Sequence, residues 1–173
     1  MMIETERLRL RPWEARDRDA FAALHADPEV MWDYGGPLDR AKSDAKFDRY
    51  RRVFAAQGLS RWVMEDRQGA FLGYTGLMPS GPDHPLGAHV DVGWRLMRAA
   101  WGHGYAQEAA RACLAYGFRE RGLAEILAYA GPENLRSQTV MARLGLVRDP
   151  ARDFTMWHAE IGDWHAQTWV ARR

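Results

Sequence analysis

The sequence predicts an α+β fold, a mixed α/β domain with a central sheet and helices against it, and three observations predict it. Segments that alternate apolar and charged residues, the period of a half-buried strand, are interleaved with segments whose apolar residues recur at helical spacing. No repeat, low-complexity tract or linker separates them, so residues 1–173 read as a single domain. The composition is that of a globular chain, 47% hydrophobic and 27% charged, and 173 residues can bury a core without disulfides or a metal.

Taken in order, Leu8-Arg9-Leu10-Arg11 alternates as a strand and Pro12 ends it. Ala20, Phe21, Leu24 and His25 recur at helical spacing until Asp27-Pro28 stops the helix. Met31 to Arg40, with Gly35-Gly36-Pro37, is a loop that carries Trp32, Asp33 and Tyr34. Phe47, Tyr50 and Phe54 predict a second helix over Ser43 to Ala56, with Gly58 beyond its end; its Arg49, Arg51 and Arg52 read as a solvated face. Arg61–Glu65 and Phe71–Met78 flank a turn at Gln68-Gly69 and predict a hairpin, and Pro79 to Gly87 is a loop. His89 to Leu96 alternates strictly, with Val90, Val92, Trp94 and Leu96 facing one way and His89, Asp91, Gly93 and Arg95 the other.

Past Gly104 the period becomes helical, and the stripe of Ala106, Ala109, Ala110, Cys113, Leu114 and Gly117 is small enough for close approach to a sheet. Ala124 to Tyr129 reads as a strand. Asn134 is an N-cap for a helix running to Leu144, with Gly145 as its C-terminal stop. Phe154–His158 and His165–Arg172 are the last two strands, and they are candidates for pairing with a second copy as a homodimer.

Charge and composition exclude several classes. A net charge of +1 lacks the field of a dedicated nucleic-acid binder, and no nucleic-acid partner is expected. Cys113 is the one cysteine, so no internal disulfide or multi-cysteine metal cluster exists, and its place among alanines marks a small core residue rather than a nucleophile. The six histidines show no metal-ligand spacing, and no metal is expected. Acids near the start occupy the place of a signal's apolar stretch, and the longest uncharged segment, Gln68 to Pro82, is broken by glycine and proline. The expectation is a cytoplasmic protein with no membrane partner.

The segment that carries chemistry is Trp101-Gly102-His103-Gly104-Tyr105-Ala106, between a strand and a helix. Glycines here remove the Cβ atoms that would keep a ligand from the backbone, and a helix N-terminus offers free N–H groups and partial positive charge to a phosphate or pyrophosphate. No acid precedes Glu108 in that helix. A dinucleotide fingerprint would need glycine at Gln107, and a P-loop would need Gly-Lys-Ser/Thr, so neither applies. A second helix N-terminus, Asn134-Leu135-Arg136-Ser137, follows after the next strand.

The ordered set of motifs resembles the GNAT acetyltransferase superfamily, and within it the RimJ/RimL branch of ribosomal-protein N-terminal acetyltransferases, over nearly the whole chain. Glu4 to Arg11 is similar to that branch's opening strand. Val92-Gly93-Trp94 with Trp101 to Ala109 is similar to its acetyl-CoA motif, and Asn134, Ser137, Val140, Leu144 and Gly145 to the helix that follows. The resemblance implies a GNAT-like domain: a mixed, mostly antiparallel sheet, splayed in the middle, with helices on both faces. Acetyl-CoA, the acyl donor, would enter the gap. Its pantetheine would pair near Trp94 and Leu96, its pyrophosphate would rest on amides from Trp101 through Gly102, His103, Gly104 and Tyr105 to Ala106, and Asn134 and Ser137 would touch it.

Two positions depart from the family pattern. Ala99 stands where glutamine or arginine is frequent, and Arg98 is the alternative source of charge. Met141 stands where many relatives place the tyrosine that protonates the thiolate, so Ser137 is the substitute donor, its other reading being a helix cap.

The implied reaction is direct attack of a primary amine, from a protein N-terminus or a small molecule, on the thioester. Backbone N–H groups on Val92–Trp94 would face the developing oxyanion. Asp91 is the candidate base, and pairing with Arg95 or another arginine is its alternative. The acceptor would be met by Trp32, Asp33 and Tyr34, with Asp33 and Glu14 as candidates for a cationic amine. A non-catalytic acyl-CoA-binding or sensory module is the rival reading, favoured by Ala99 and Met141.

Overall fold

Alternation along the middle strands sorts their side chains onto two faces, and each face is covered by helices with a matching apolar stripe. The computed structural model describes residues 2–173. Its elements are β1 (Ile3–Glu4), β2 (Leu8–Arg11), α1 (Arg18–Ala26), α2 (Arg40–Gln57), β3 (Arg61–Asp66), β4 (Phe71–Ser80) and β5 (His89–Leu96). There follow α3 (Tyr105–Arg119), β6 (Glu125–Ala130), α4 (Leu135–Arg143), β7 (Val147–Arg148), β8 (Phe154–His158) and β9 (Gly162–Arg172).

The strands form one sheet in the order β1-β2-β3-β4-β5-β6-β9-β7, with β8 also on β9. Every pairing is antiparallel except β5 with β6. That parallel pair has a single point of register, Asp91 opposite Leu127. Beyond Asp91 the rest of β5 runs on without β6, while its other edge stays bonded to β4 from Gly73–Leu96 through Ser80–His89.

On one face, Leu8, Leu10, Trp62, Met64, Leu77 and Val92 pack against Ala109, Ala110 and Cys113 of α3. The small stripe permits the approach: a Cβ on Gly117 would lie 2.6 Å from Ile126 Cδ1 and 2.9 Å from Leu77 Cδ1. On the other face, Val63, Tyr74 and Met78 meet Trp13, Phe21 and Leu24, and Phe47 and Tyr50 of α2. Trp13 is thus core, its indole N–H donating to the Arg61 carbonyl at 2.7 Å. Glu14 is held by Arg16 at 2.8 Å, away from both cavities described below. Among the described residues no helix is long and apolar enough to cross a membrane.

Candidate active site

Where β5 and β6 part, a cavity of about 640 Å³ opens between the β5 edge and the N-termini of α3 and α4. Trp94 and Leu96 line it from β5, and Trp101, Gly102, Gly104, Tyr105 and Ala106 from the turn into α3. Gly102 and Gly104 have φ of 80° and 78°, left-handed values that explain glycine at both positions. This turn aims the main chain into the cavity. The amides from Gly102 to Gln107 have no acceptor among the described residues, as expected of a helix start.

The first acid of α3 is turned away: Glu108 is bound by Arg7 Nε at 2.7 Å and by the Thr5 hydroxyl at 2.5 Å. Arg7 also donates to the His103 carbonyl at 2.9 Å, so the N-terminal strand pair braces the glycine turn. From α4, Arg136 and Arg143 enter the lining, the former with its guanidinium 4.5 Å from the Trp101 ring centroid. The only lining acid is Asp33, neutralised by Arg95 at 2.8 Å. A phosphate-bearing ligand therefore meets amides, two helix N-termini and two arginines.

A second cavity of about 280 Å³ lies on the α2 side of the sheet. Asp33, Trp94, Arg95, Asn134 and Ser137 line both cavities and so mark their junction. Asn134 caps α4 by accepting from the Ser137 amide at 3.1 Å, and its Nδ2 donates to Asp33 at 3.2 Å. The Ser137 hydroxyl has no hydrogen-bond partner among the described residues. Asp91, buried at 3% exposure, carries donors on both oxygens: Arg61 on Oδ2, and the Tyr129 hydroxyl on Oδ1 at 3.0 Å. Arg61 reaches it across Gly93, where a Cβ would lie 2.7 Å from Arg61 Nη2.

The structure brings together most of the residues singled out above. Trp94, Leu96, Trp101, Gly102, Gly104, Tyr105, Ala106, Asn134 and Ser137 share the first cavity, and Asp91 lines the second. Others stand elsewhere. Arg98 is outside both linings, held by Asp27 and Glu29 at 2.7 Å each. His103 is also outside, stacked on Tyr105 with centroids 5.4 Å apart. Of the loop residues, Trp32 lines the first cavity, Tyr34 the second, and Asp33 both, its charge already met by Arg95 rather than open to a cationic amine.

Sequence reasoning missed Arg136, Thr139, Val140 and Arg143 as cavity residues, although their spacing sets them on one face of α4. It also missed Arg61, Tyr129, Lys46 and Arg49 in the second cavity, for which no local pattern exists.

Comparison with known proteins agrees with this geometry. The family model described as Acetyltransferase (GNAT) domain matches residues 7–147. The chain is 39% identical over 146 residues to the uncharacterized protein YkkB of Bacillus subtilis, covering 83% of this chain and 84% of that one. It is 32% identical over 151 residues to the FsC-acetyl coenzyme A-N(2)-transacetylase of Aspergillus fumigatus, covering 83% of this chain and 64% of that one. The crystal structure of an acetyltransferase from Agrobacterium tumefaciens superposes with a TM-score of 0.83 at 26% identity, covering 100% of this chain and 95% of that one.

Proposed function

The chain belongs to the GNAT acetyltransferase family and is an acyltransferase that draws on acetyl-CoA; on that premise we propose that it acetylates the primary amine of a small molecule by direct transfer, the donor lying in the first cavity and the amine arriving from the second. The observation that carries this reading is the junction: two cavities that meet where the sheet parts share Asp33, Trp94, Arg95, Asn134 and Ser137. The volume of the second cavity, about 280 Å³, is at the small end of ligand pockets and favours a small acceptor. The Aspergillus relative, named for transfer to an N(2) position, is in keeping with that choice.

The residues of the first cavity fit the donor. Free amides from Gly102 to Gln107 and the guanidinium groups of Arg136 and Arg143 match its phosphates. The edge of β5 at Trp94–Leu96, which β6 leaves open and where the Leu96 carbonyl accepts from the Trp101 indole at 3.1 Å, matches its amide-bearing arm. When bound, acetyl-CoA supplies a thioester carbonyl carbon that forms the new C–N bond as its C–S bond breaks. The β5 edge presents N–H groups to the charge that develops on the carbonyl oxygen. Ser137, with its hydroxyl free at the junction, donates a proton to the departing sulfur. The amine gives up one proton as the bond forms, and that proton replaces the one Ser137 passes to sulfur, so the net step turns neutral amine and thioester into amide and thiol.

Asp91 serves from behind: saturated by Arg61 and Tyr129, it holds both groups at the wall of the second cavity. Arg61 and Tyr129, and not a free carboxylate, are what the acceptor meets there.

The test is thiol release from acetyl-CoA over a panel of small amines, with calorimetry of acetyl-CoA binding alongside. Ser137→Ala is expected to lower kcat about 10²-fold, the low end for a lost proton donor, with acetyl-CoA affinity little changed. An unchanged kcat removes Ser137 from the chemistry, and binding without release on any amine supports the sensory module instead. In the same assay Asp91→Asn should lower kcat without moving the ascending, acid-side limb of the pH profile, which loss of a general base at Asp91 would alter.

A further inference from the structure

The charge of the second cavity is unbalanced. Four basic side chains line it, Lys46, Arg49, Arg61 and Arg95, against two acids, Asp91 and Asp33. Both acids are consumed, Asp91 by Arg61 and Asp33 by Arg95 at 2.8 Å. Glu160, which pairs with Lys42 at 3.4 Å, is not part of the lining.

Lys46 and Arg49, one turn apart on α2, have no acidic partner within 4.0 Å among the described residues. Lys46 is partly buried, its Nζ 4.4 Å from the centroid of the Tyr34 ring, which offers a weak partner for a whole charge. Two unmatched cations facing the cavity, Lys46 partly buried and Arg49 exposed, repel a cationic guest and stabilise an anionic one, with the Coulomb interaction of the partly buried Lys46 the less screened by water.

We infer that the second cavity selects an amine carrying its own anionic group, a carboxylate or a phosphate, and that Lys46 and Arg49 hold that group while the nitrogen faces the junction. The inference rests on the second cavity being the acceptor site. The hydroxyl of Tyr34 in the same lining adds a donor that suits one of an anion's remaining lone pairs. The field is legible in its neighbours: burial and the nearby Arg95 and Arg49 lower the Lys46 ammonium below the usual lysine range. Burial alone would raise the Tyr74 hydroxyl, yet Lys46 and Arg95 draw it below the usual tyrosine range. A polyamine or aminoglycoside would add further positive charge to this wall, and the same cations exclude it.

The test uses the full chain saturated with CoA. Calorimetry compares product-like pairs: N-acetyl amino acids against their amides, and O-phospho-N-acetylethanolamine against N-acetylethanolamine. Thiol release from acetyl-CoA is followed with the corresponding free amines and with spermidine. The expected result is at least tenfold tighter binding and higher kcat/KM for the anionic member of a pair. That preference should fall below threefold in Lys46→Met and in Arg49→Gln, with CoA affinity and melting temperature held. Whichever of the carboxylate and phosphate arms shows it identifies the anion.

Release without an anionic preference, or faster on spermidine, overturns the inference and leaves the transferase reading standing. So does a preference that survives in both variants. Anionic binding that is lost in the variants, with no release on any amine, overturns the transferase reading and leaves the recognition standing. Failure of every anionic compound to bind overturns the inference outright.

Discussion

At the scale of single residues, the wall between the second cavity and the core of the α1–α2 face is set by groups kept in one protonation state. His25, fully buried, donates from Nδ1 to the Phe21 carbonyl at 2.9 Å and faces the Tyr74 hydroxyl at 3.3 Å through Nε2. Burial pushes its pKa from 6.5 down to about 3. The folded state thus keeps His25 neutral where the unfolded chain protonates it, so its contribution to stability is fully present above about pH 6.5 and is lost as pH falls toward 3. The loss should run at about 1.4 kcal/mol per pH unit, or about 2 kcal/mol between pH 6.5 and 5. Urea unfolding at pH 7, 6 and 5 measures it, and His25→Gln should flatten the slope. An equal slope in both proteins, or a His25 resonance titrating near pH 6.5 in the native state, contradicts the assignment.

The same scale shows what sequence could not convey. The alternation that set Asp91 and Arg95 on one side of their strand held, but Asp91 pairs with Arg61, thirty positions earlier, because Gly93 leaves the guanidinium room to cross. Arg49 reads as solvated from its helix alone, and only the fold shows that its exposed side also lines a cavity.

At the scale of elements, α4 links the two cavities through its cap. Asn134 Oδ1 accepts from the Ser137 amide while Nδ2 donates to Asp33, whose charge in turn fixes Arg95. Asn134→Ala should cost about 1 kcal/mol of stability, as expected for a lost N-cap, and should also loosen Asp33. Asn134→Ser should restore the cap but not the Asp33 contact. Chemical denaturation and acetyl-transfer rates of the two variants separate these roles: stability is regained in serine while kcat stays reduced. Equal kcat in wild type and both variants would confine Asn134 to capping.

Elements with a clear period were legible almost to their ends. The second helix begins at Arg40 rather than Ser43 because Asp39 caps it, accepting from the Lys42 amide at 2.8 Å. The two-residue strands Ile3–Glu4 and Val147–Arg148 are too short to show a period and exist through their pairing partners, Leu10–Arg9 and Val170–Trp169. The last strand extends back to Gly162 because its first half pairs with Phe154–His158 in a hairpin.

At the scale of the whole molecule, a net charge of +1 conceals local imbalance: Arg136 and Arg143 face the first cavity and Lys46 and Arg49 the second, none of them paired with an acid among the described residues. The parting of the sheet is likewise a global property. It follows from the single register point between β5 and β6, and no residue pattern within either strand encodes it. The glycine turn, by contrast, was legible locally, because left-handed backbone at two positions before a helix demands glycine.

The most direct measurement is a crystal structure of the protein with CoA. The account predicts diphosphate on the amides of Gly102 to Gln107, the pantetheine arm along Trp94–Leu96, and the sulfur at hydrogen-bond distance from the Ser137 hydroxyl, facing the second cavity. CoA bound elsewhere, β5 and β6 paired shut along their length, or a sulfur pointing away from Ser137 and the second cavity would contradict it.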